Sequence, residues 1–298
     1  MGPAAVSLHY ARPPSVLRYY PRALMGERLP VLPEGTEVPR LEGKVEALRV
    51  PRGNLRRYRA VCGFAADGGL PVTYPHALAL PLHVAVMTHP AFVVRLMGLV
   101  HVANEIECIR PLPDDRPYGL RVWLEGHDET DRGQEFRLYT ELLDETGPAW
   151  RECCTLLARQ KASGPQAARS ARATLRAPKP PADVAVAQAT FRAEQSIARR
   201  YGLISGDLNP IHLADFLARW YGFERAVAHG MWSMARSLAA LGPELTARPC
   251  RIPAEFKLPL FMPSEVRLDH WQEGTRHVFV LRDAGNQRPH LAGSVEAP

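Results

Sequence analysis

Residues 205–232 read SGDLNPIHLADFLARWYGFERAVAHGMW, and the rest of the chain is read outward from them. Asn209-Pro210 does not fit a helix interior. Asparagine is a good N-cap and proline a good first helical residue, so a short helix is expected to start at Pro210. Asp207 then falls in the loop before that helix, and His212 in its first turn. Both side chains can point to one side of this junction. A carboxylate and an imidazole that share one water form an acid–base pair suited to neutral pH. Gly206 permits unusual backbone angles just before the carboxylate, and Ser205 can bond the local backbone. Residues 213–223 are expected to form a connecting helix that packs.

Farther on, Ala228-His229-Gly230 opens an apolar helix expected over 231–241, which Gly242-Pro243 stops. A helix start presents unpaired N–H groups and partial positive charge. Gly230 has no side chain, so a ligand oxygen can approach its N–H closely, as an enolate-like oxygen on a thioester carbonyl would require. His229 stands either to contact the ligand or to cap the helix. Asp207, His212 and His229 lack any H-x-x-x-H or comparable ligand spacing, so no metal is expected. No other cofactor is expected.

Four strand candidates follow the apolar helix, at 250–258, 265–272, 276–283 and 290–296, and one precedes the motif at 190–195. The first half has the same outline. Strand-like alternation occurs at 44–50 and 58–64. A long apolar stretch is broken by Pro81 and Pro90, which suggests a short helix near 76–80 and a buried main helix over 91–99. Strand candidates at 100–110, 119–128, 135–143 and 149–159 are separated by the turn signals PLPDD, DETDRG and DETGP. Short turns between successive strands imply antiparallel meanders. Two halves, each a helix followed by a meander, suggest an internal duplication. An apolar helix must be covered by a layer, so the expected fold is α+β, a curled antiparallel sheet wrapped around a central helix, twice over.

Between the halves, 161–186 is rich in Ala, Ser, Pro and Arg and reads as a linker. Residues 1–40, rich in Pro and Arg, read as an arm laid over the first half. The expected organisation is therefore a first repeat with its arm over 1–160, a linker over 161–186 and a second, catalytic repeat over 187–298.

The 298 residues carry a net charge of +6, but the basic residues are scattered among acids. That argues against nucleic-acid binding and suits a ligand bearing phosphates. Lys257, Arg251 and Arg225 lie near the expected site in sequence and could meet such phosphates, and surface solvation explains each equally well. Five cysteines without a C-x-x-C pair read as reduced thiols of a cytoplasmic protein. No apolar run is long enough to span a membrane. The histidines at 76, 83, 89 and 101 sit in apolar surroundings and read as core or cap residues.

SGDLNPIH followed by GFERAVAHGMW strongly resembles the signature of the MaoC-like, (R)-specific enoyl-CoA hydratase family, whose fold is the hot-dog. The duplicated outline extends the resemblance to double-hot-dog members. The resemblance implies that Asp207 and His212 hold and activate the water added to the enoyl double bond. It implies that the N–H at Gly230 binds the thioester carbonyl, with Asn209 and His229 beside the substrate. It also implies a first repeat that has lost the motif and shapes the acyl pocket. The implied reaction interconverts trans-2-enoyl-CoA and (3R)-3-hydroxyacyl-CoA. Dehydration on an acyl-carrier protein or a specialised acyl group, and a non-catalytic acyl-thioester binder, are the alternatives. A homodimer is implied by the resemblance alone.

Overall fold

The computed structural model describes residues 5–25, 28–160 and 176–297. Most of the expected linker, 161–175, lies outside them. Eleven strands form one sheet. In the first half these are β1 (Val6–Tyr10), β2 (Leu41–Arg49), β3 (Leu99–Cys108), β4 (Pro117–Thr130), β5 (Gly133–Asp144) and β6 (Gly147–Arg159). In the second they are β7 (Ala187–Ala193), β8 (Cys250–Phe256), β9 (Ser264–Glu273), β10 (Arg276–Asp283) and β11 (Pro289–Glu296).

Their order across the sheet is β1-β2-β4-β5-β6-β3-β8-β11-β10-β9-β7. Apart from β1, the order is palindromic about the β3–β8 junction. Each strand of one half has a counterpart at the same distance from that junction. The duplication suggested by the order of elements in sequence is thus present in the pairing. The junction is antiparallel, from Ala103 opposite Glu255 to Cys108 opposite Cys250. Period-two burial drives these strands; in β4, Tyr118, Leu120, Val122 and Leu124 point inward.

The sheet curls over helices. These are α1 (Tyr20–Met25), α2 (Arg52–Cys62), α3 (Tyr74–Met87), α4 (Gln195–Ser205), α5 (Pro210–Leu213), α6 (Asp215–Trp220) and α7 (Gly230–Leu241). The two central helices are α3 and α7. The fold is the double hot-dog. Among the described residues, no helix is long and apolar enough to cross a membrane.

Three local expectations are corrected. The central helix of the first half is α3, not 91–99. Pro81 lies inside it, and twelve of its residues are buried, so burial on all sides outweighs the hydrogen bond that the proline removes. The helix ends at Met87 because Arg28 donates to the carbonyls of Met87 (2.9 Å) and Phe92 (2.6 Å) and to those of Thr88 and His89 between them. Those bonds fold the chain after Pro90 into a turn. Next, the alternation at 58–64 belongs to α2. Its buried Leu55, Tyr58, Arg59 and Cys62 follow a helical repeat, and Gly63, at φ 80°, ends it in the left-handed region. Finally, 213–223 is not one helix. Ala214 is extended and separates α5 from α6, and Asp215 Oδ1 accepts the Ala226 N–H at 2.9 Å. Only Ala218 of α6 is buried, while Phe216 and Trp220 face outward.

Candidate active site

The motif folds locally as its turn chemistry requires. Gly206 takes φ 86° after α4, a conformation that disfavours any side chain. The Ser205 hydroxyl donates to Tyr201 O at 2.9 Å and accepts the Asp207 N–H at 3.2 Å. Asn209 caps α5, its Oδ1 accepting the Ile211 N–H at 3.3 Å. The Asn209 N–H in turn donates to Asp207 Oδ1 at 3.1 Å, which fixes one carboxylate oxygen and leaves Oδ2 free.

Asp207 Oδ2 lies 3.8 Å from His212 Nε2 and 3.8 Å from His229 Nε2. The two imidazoles stack with centroids 3.8 Å apart. His212 Nδ1 is 2.7 Å from Val227 O, and a carbonyl only accepts, so Nδ1 carries the proton and the Nε2 of a neutral ring keeps its lone pair. His229 Nε2 donates to the backbone carbonyl of Asp207 at 3.0 Å. His229 therefore neither caps its helix by its side chain nor only meets ligand; it holds the Asp207 loop. Burial and the adjacent His212 push His229 down to about 3, which keeps it neutral. Burial opposes the charge on Asp207, yet His229, His212 and the Asn209 N–H outweigh it and hold that carboxyl below its ordinary value.

The arm contributes too. The Tyr20 hydroxyl accepts the Leu208 N–H at 2.5 Å and donates to Gly206 O at 3.2 Å, so it clamps the loop on both sides of Asp207. Nothing in the sequence around Tyr20 marks it for this, since its partners lie far along the chain.

Helix α7 starts at Gly230 with no side-chain cap, so its first N–H groups have no partner within the helix. Gly230 is required by packing: a Cβ there would stand 2.9 Å from the Phe256 ring. Gly230, Asp207, Asn209, His212 and His229 all border one cavity of about 680 Å³. The structure thus brings together every residue expected at the site. Of the three cations, Lys257 borders the cavity and pairs with Glu255. Arg251 is engaged outside by Glu105, and Arg225 lies over the Phe261 ring.

Ligand atoms of Asp207, His212 and His229 lie within 4.8 Å of one another. The His229 atom nearest the others is committed as a donor to the Asp207 carbonyl, so this set offers a metal at most two free ligands in this arrangement.

The far wall comes from the first half. Leu80, Val84 and Met87 of α3 and Leu138 and Leu156 make it apolar, as an acyl chain requires. His76, His83 and His101, expected as core or cap residues, are on that wall as well. His83 Nε2 meets the Thr140 hydroxyl at 2.8 Å, and His76 Nδ1 meets Glu152 at 2.9 Å. His89 does cap a turn, accepting the Ala91 N–H at 3.2 Å.

The chain is similar to known proteins in sequence and in fold. Residues 171–289 match the MaoC like domain. The chain is 30% identical over 286 residues to 3-hydroxyacyl-thioester dehydratase X of Mycobacterium tuberculosis, covering 95% of this chain and 98% of that one. The crystal structure of HtdX from Mycobacterium tuberculosis superposes with a TM-score of 0.74 at 28% identity, over 86% of this chain and 100% of that one. A MaoC-like dehydratase from Phytophthora capsici shares the fold, with a TM-score of 0.66 at 18% identity over 88% and 96% of the two chains.

Proposed function

The chain belongs to the MaoC-like family and is a hydro-lyase of 3-hydroxyacyl thioesters, and from that premise we propose that it interconverts trans-2-enoyl-CoA and (3R)-3-hydroxyacyl-CoA, with Asp207 and His212 as its acid–base pair. The observation that carries this is the 3.8 Å gap between Asp207 Oδ2 and His212 Nε2. It is too long for a direct hydrogen bond and suits one bridging water.

Both atoms are acceptors when the carboxylate is ionised and the imidazole neutral. A water between them donates both of its protons, so its lone pairs point away from the pair and toward C3 of a bound enoyl group. In hydration the water oxygen bonds C3 while the pair takes one proton. The C2–C3 π electrons move onto the thioester oxygen, where the unpaired N–H groups at Gly230 stabilise the enolate. The proton returns from the pair to C2 as the enolate collapses. Dehydration is the reverse. Addition of oxygen and proton from one side makes the reaction syn. Asn209 and His229 serve by fixing the Asp207 carboxylate and its loop.

The apolar wall from the first half supports the reading that the first repeat shapes the acyl pocket and the second carries the chemistry. Homodimerisation is a separate proposal, checked by light scattering. Cytoplasmic residence is proposed on the five free thiols.

The test is the enoyl-thioester absorbance of crotonyl-CoA and longer analogues, with chiral analysis of the product and the same acyl groups presented on a carrier protein. Loss of absorbance without thiol release, yielding the (3R) alcohol from CoA substrates, is expected. Thiol release, or no change, contradicts the proposal.

A further inference from the structure

His76, His101 and Cys154 of the first half border the cavity, and with Asn104 and Glu152 next to them they make a polar group of side chains that the proposed reaction does not use. His76 comes from α3, His101 and Asn104 from β3, and Glu152 and Cys154 from β6. The Glu152 side chain is fully enclosed, and His76 shows a tenth of its surface. His76 Nδ1 donates to both Glu152 oxygens, at 2.9 and 3.0 Å, and Asn104 Nδ2 donates to Glu152 Oε1 at 2.7 Å. Among the described residues no hydrogen bond engages His76 Nε2. The His101 ring stacks on that of His76 with centroids 6.1 Å apart, and its Nε2 is buried without a partner. His101 also packs on Phe256, the ring that covers Gly230, so this wall adjoins the reacting end of the cavity.

Packing alone does not account for the group. A buried ion pair is a weak source of stability, and apolar residues of similar volume usually serve as well or better. An apolar wall would also suit a plain hydrocarbon chain. Burial opposes the charge on His76, but Glu152 outweighs it and raises the imidazole above its ordinary value, while Glu152 itself is held at about 2. Glu152 therefore orients the ring, and its Nε2 remains available to the cavity.

We propose that His76 and His101 form a second polar subsite, which selects acyl thioesters carrying a hydroxyl or keto oxygen on the chain beyond C3. The proposal rests on the acyl-thioester reading of the cavity. His76 Nε2–H donates to that oxygen, and His101 Nε2 completes its coordination. A neutral oxygen fits better than a carboxylate. Glu152 already balances His76, so a second anion would be buried without a counter-charge.

The probes are octanoyl-CoA and octanoyl-CoA hydroxylated at C4 or at C5, the carbons just beyond C3, titrated calorimetrically into the full-length protein. Both are saturated, so binding is read without turnover and can fail or succeed independently of the enoyl-CoA assay. The hydroxylated ligand is expected to bind about tenfold tighter, as one charge-assisted hydrogen bond allows. H76L/E152L, which leaves no buried orphan charge, should bring the ratio to about one. H101F, a shape-conserving change that keeps the pair intact, should lower the ratio by itself and serves if the double variant does not fold. Equal affinities in the wild type, or a preference that survives H101F and H76L/E152L, overturn the proposal. Absence of binding by either ligand overturns the acyl-thioester reading along with it.

Discussion

The molecule holds two carboxylate–histidine sets at one cavity, built differently: the first borders it through His76 and keeps Glu152 out of the lining, whereas in the second Asp207, His212 and His229 all border it. In the first half, Glu152 and His76 are in contact at 2.9 Å, and the enclosed carboxylate has its oxygens taken by His76 and Asn104. In the second half, Asp207 stands 3.8 Å from each of two histidines, keeps Oδ2 free and is 33% exposed. The first carboxylate sits on a strand, the second in a loop between helices. Contact consumes lone pairs and fixes charge; separation by about the width of a water leaves them for chemistry. The same two chemical groups thus serve orientation in one set and, in the proposed reaction, proton transfer in the other.

Neutralising each carboxylate in turn breaks the comparison most sharply. D207N should lower kcat/KM for crotonyl-CoA by about 10³-fold, as expected on loss of a general acid–base group, with a smaller loss of stability than E152Q. E152Q should act mainly on the fold, costing about 3 kcal/mol, because it leaves His76 buried beside an amide. Thermal unfolding followed by circular dichroism checks both. A large loss of stability in D207N, or none in E152Q, would reverse the roles given to the two sets.

Gly230 borders the same cavity. G230A should cost about 2 kcal/mol through overpacking against Phe256, with a fall in kcat as the helix start moves. Stability should recover in G230A/F256L, measured by urea unfolding.

A further effect, spread over both sets, is on the pH dependence of stability. Burial holds His83 near 3 and His101 near 4 in the first half, and His229 near 3 in the second, against an ordinary 6.5. These rings are neutral in the fold and take protons when unfolded, so their contribution is full above 6.5 and is lost as pH falls. Glu152, held near 2 against 4.5, contributes above 4.5 and loses its share as pH drops toward 2. His76 has the opposite sign: its contribution is full below 6.5 and fades as pH rises through its raised value. Urea midpoints should therefore fall from neutral pH toward pH 4, each neutral histidine adding up to about 1.4 kcal/mol per pH unit. H101F should flatten that slope; an unchanged slope would contradict the burial assigned to this ring.

The set of the second half was legible because its parts are close in sequence. Asn209-Pro210 fixes a cap and a first helical turn by local chemistry, and that alone orients Asp207 and His212 toward each other. The meanders were legible from their period-two burial and turn residues. The set of the first half was not, since His76 and Glu152 meet only through the packing of α3 on β6. Tyr20 reaches Leu208 from the other end of the chain for the same kind of reason. The sequence alone cuts helix α3 short because Pro81 is a helix breaker in water, whereas burial of twelve of its residues stabilises the helix around it. Alternation over 58–64 misled because a short apolar–polar run fits a half-buried helix as well as a strand.

The most direct test of the account is a double-mutant cycle of D207N, H212Q and D207N/H212Q, read as kcat/KM for hydration of crotonyl-CoA. If the two residues hold one water, each single variant loses about 10³-fold and the double variant is little worse than either. Losses that multiply in the double variant, or a single variant that keeps most of its activity, would show that Asp207 and His212 do not act on a shared water.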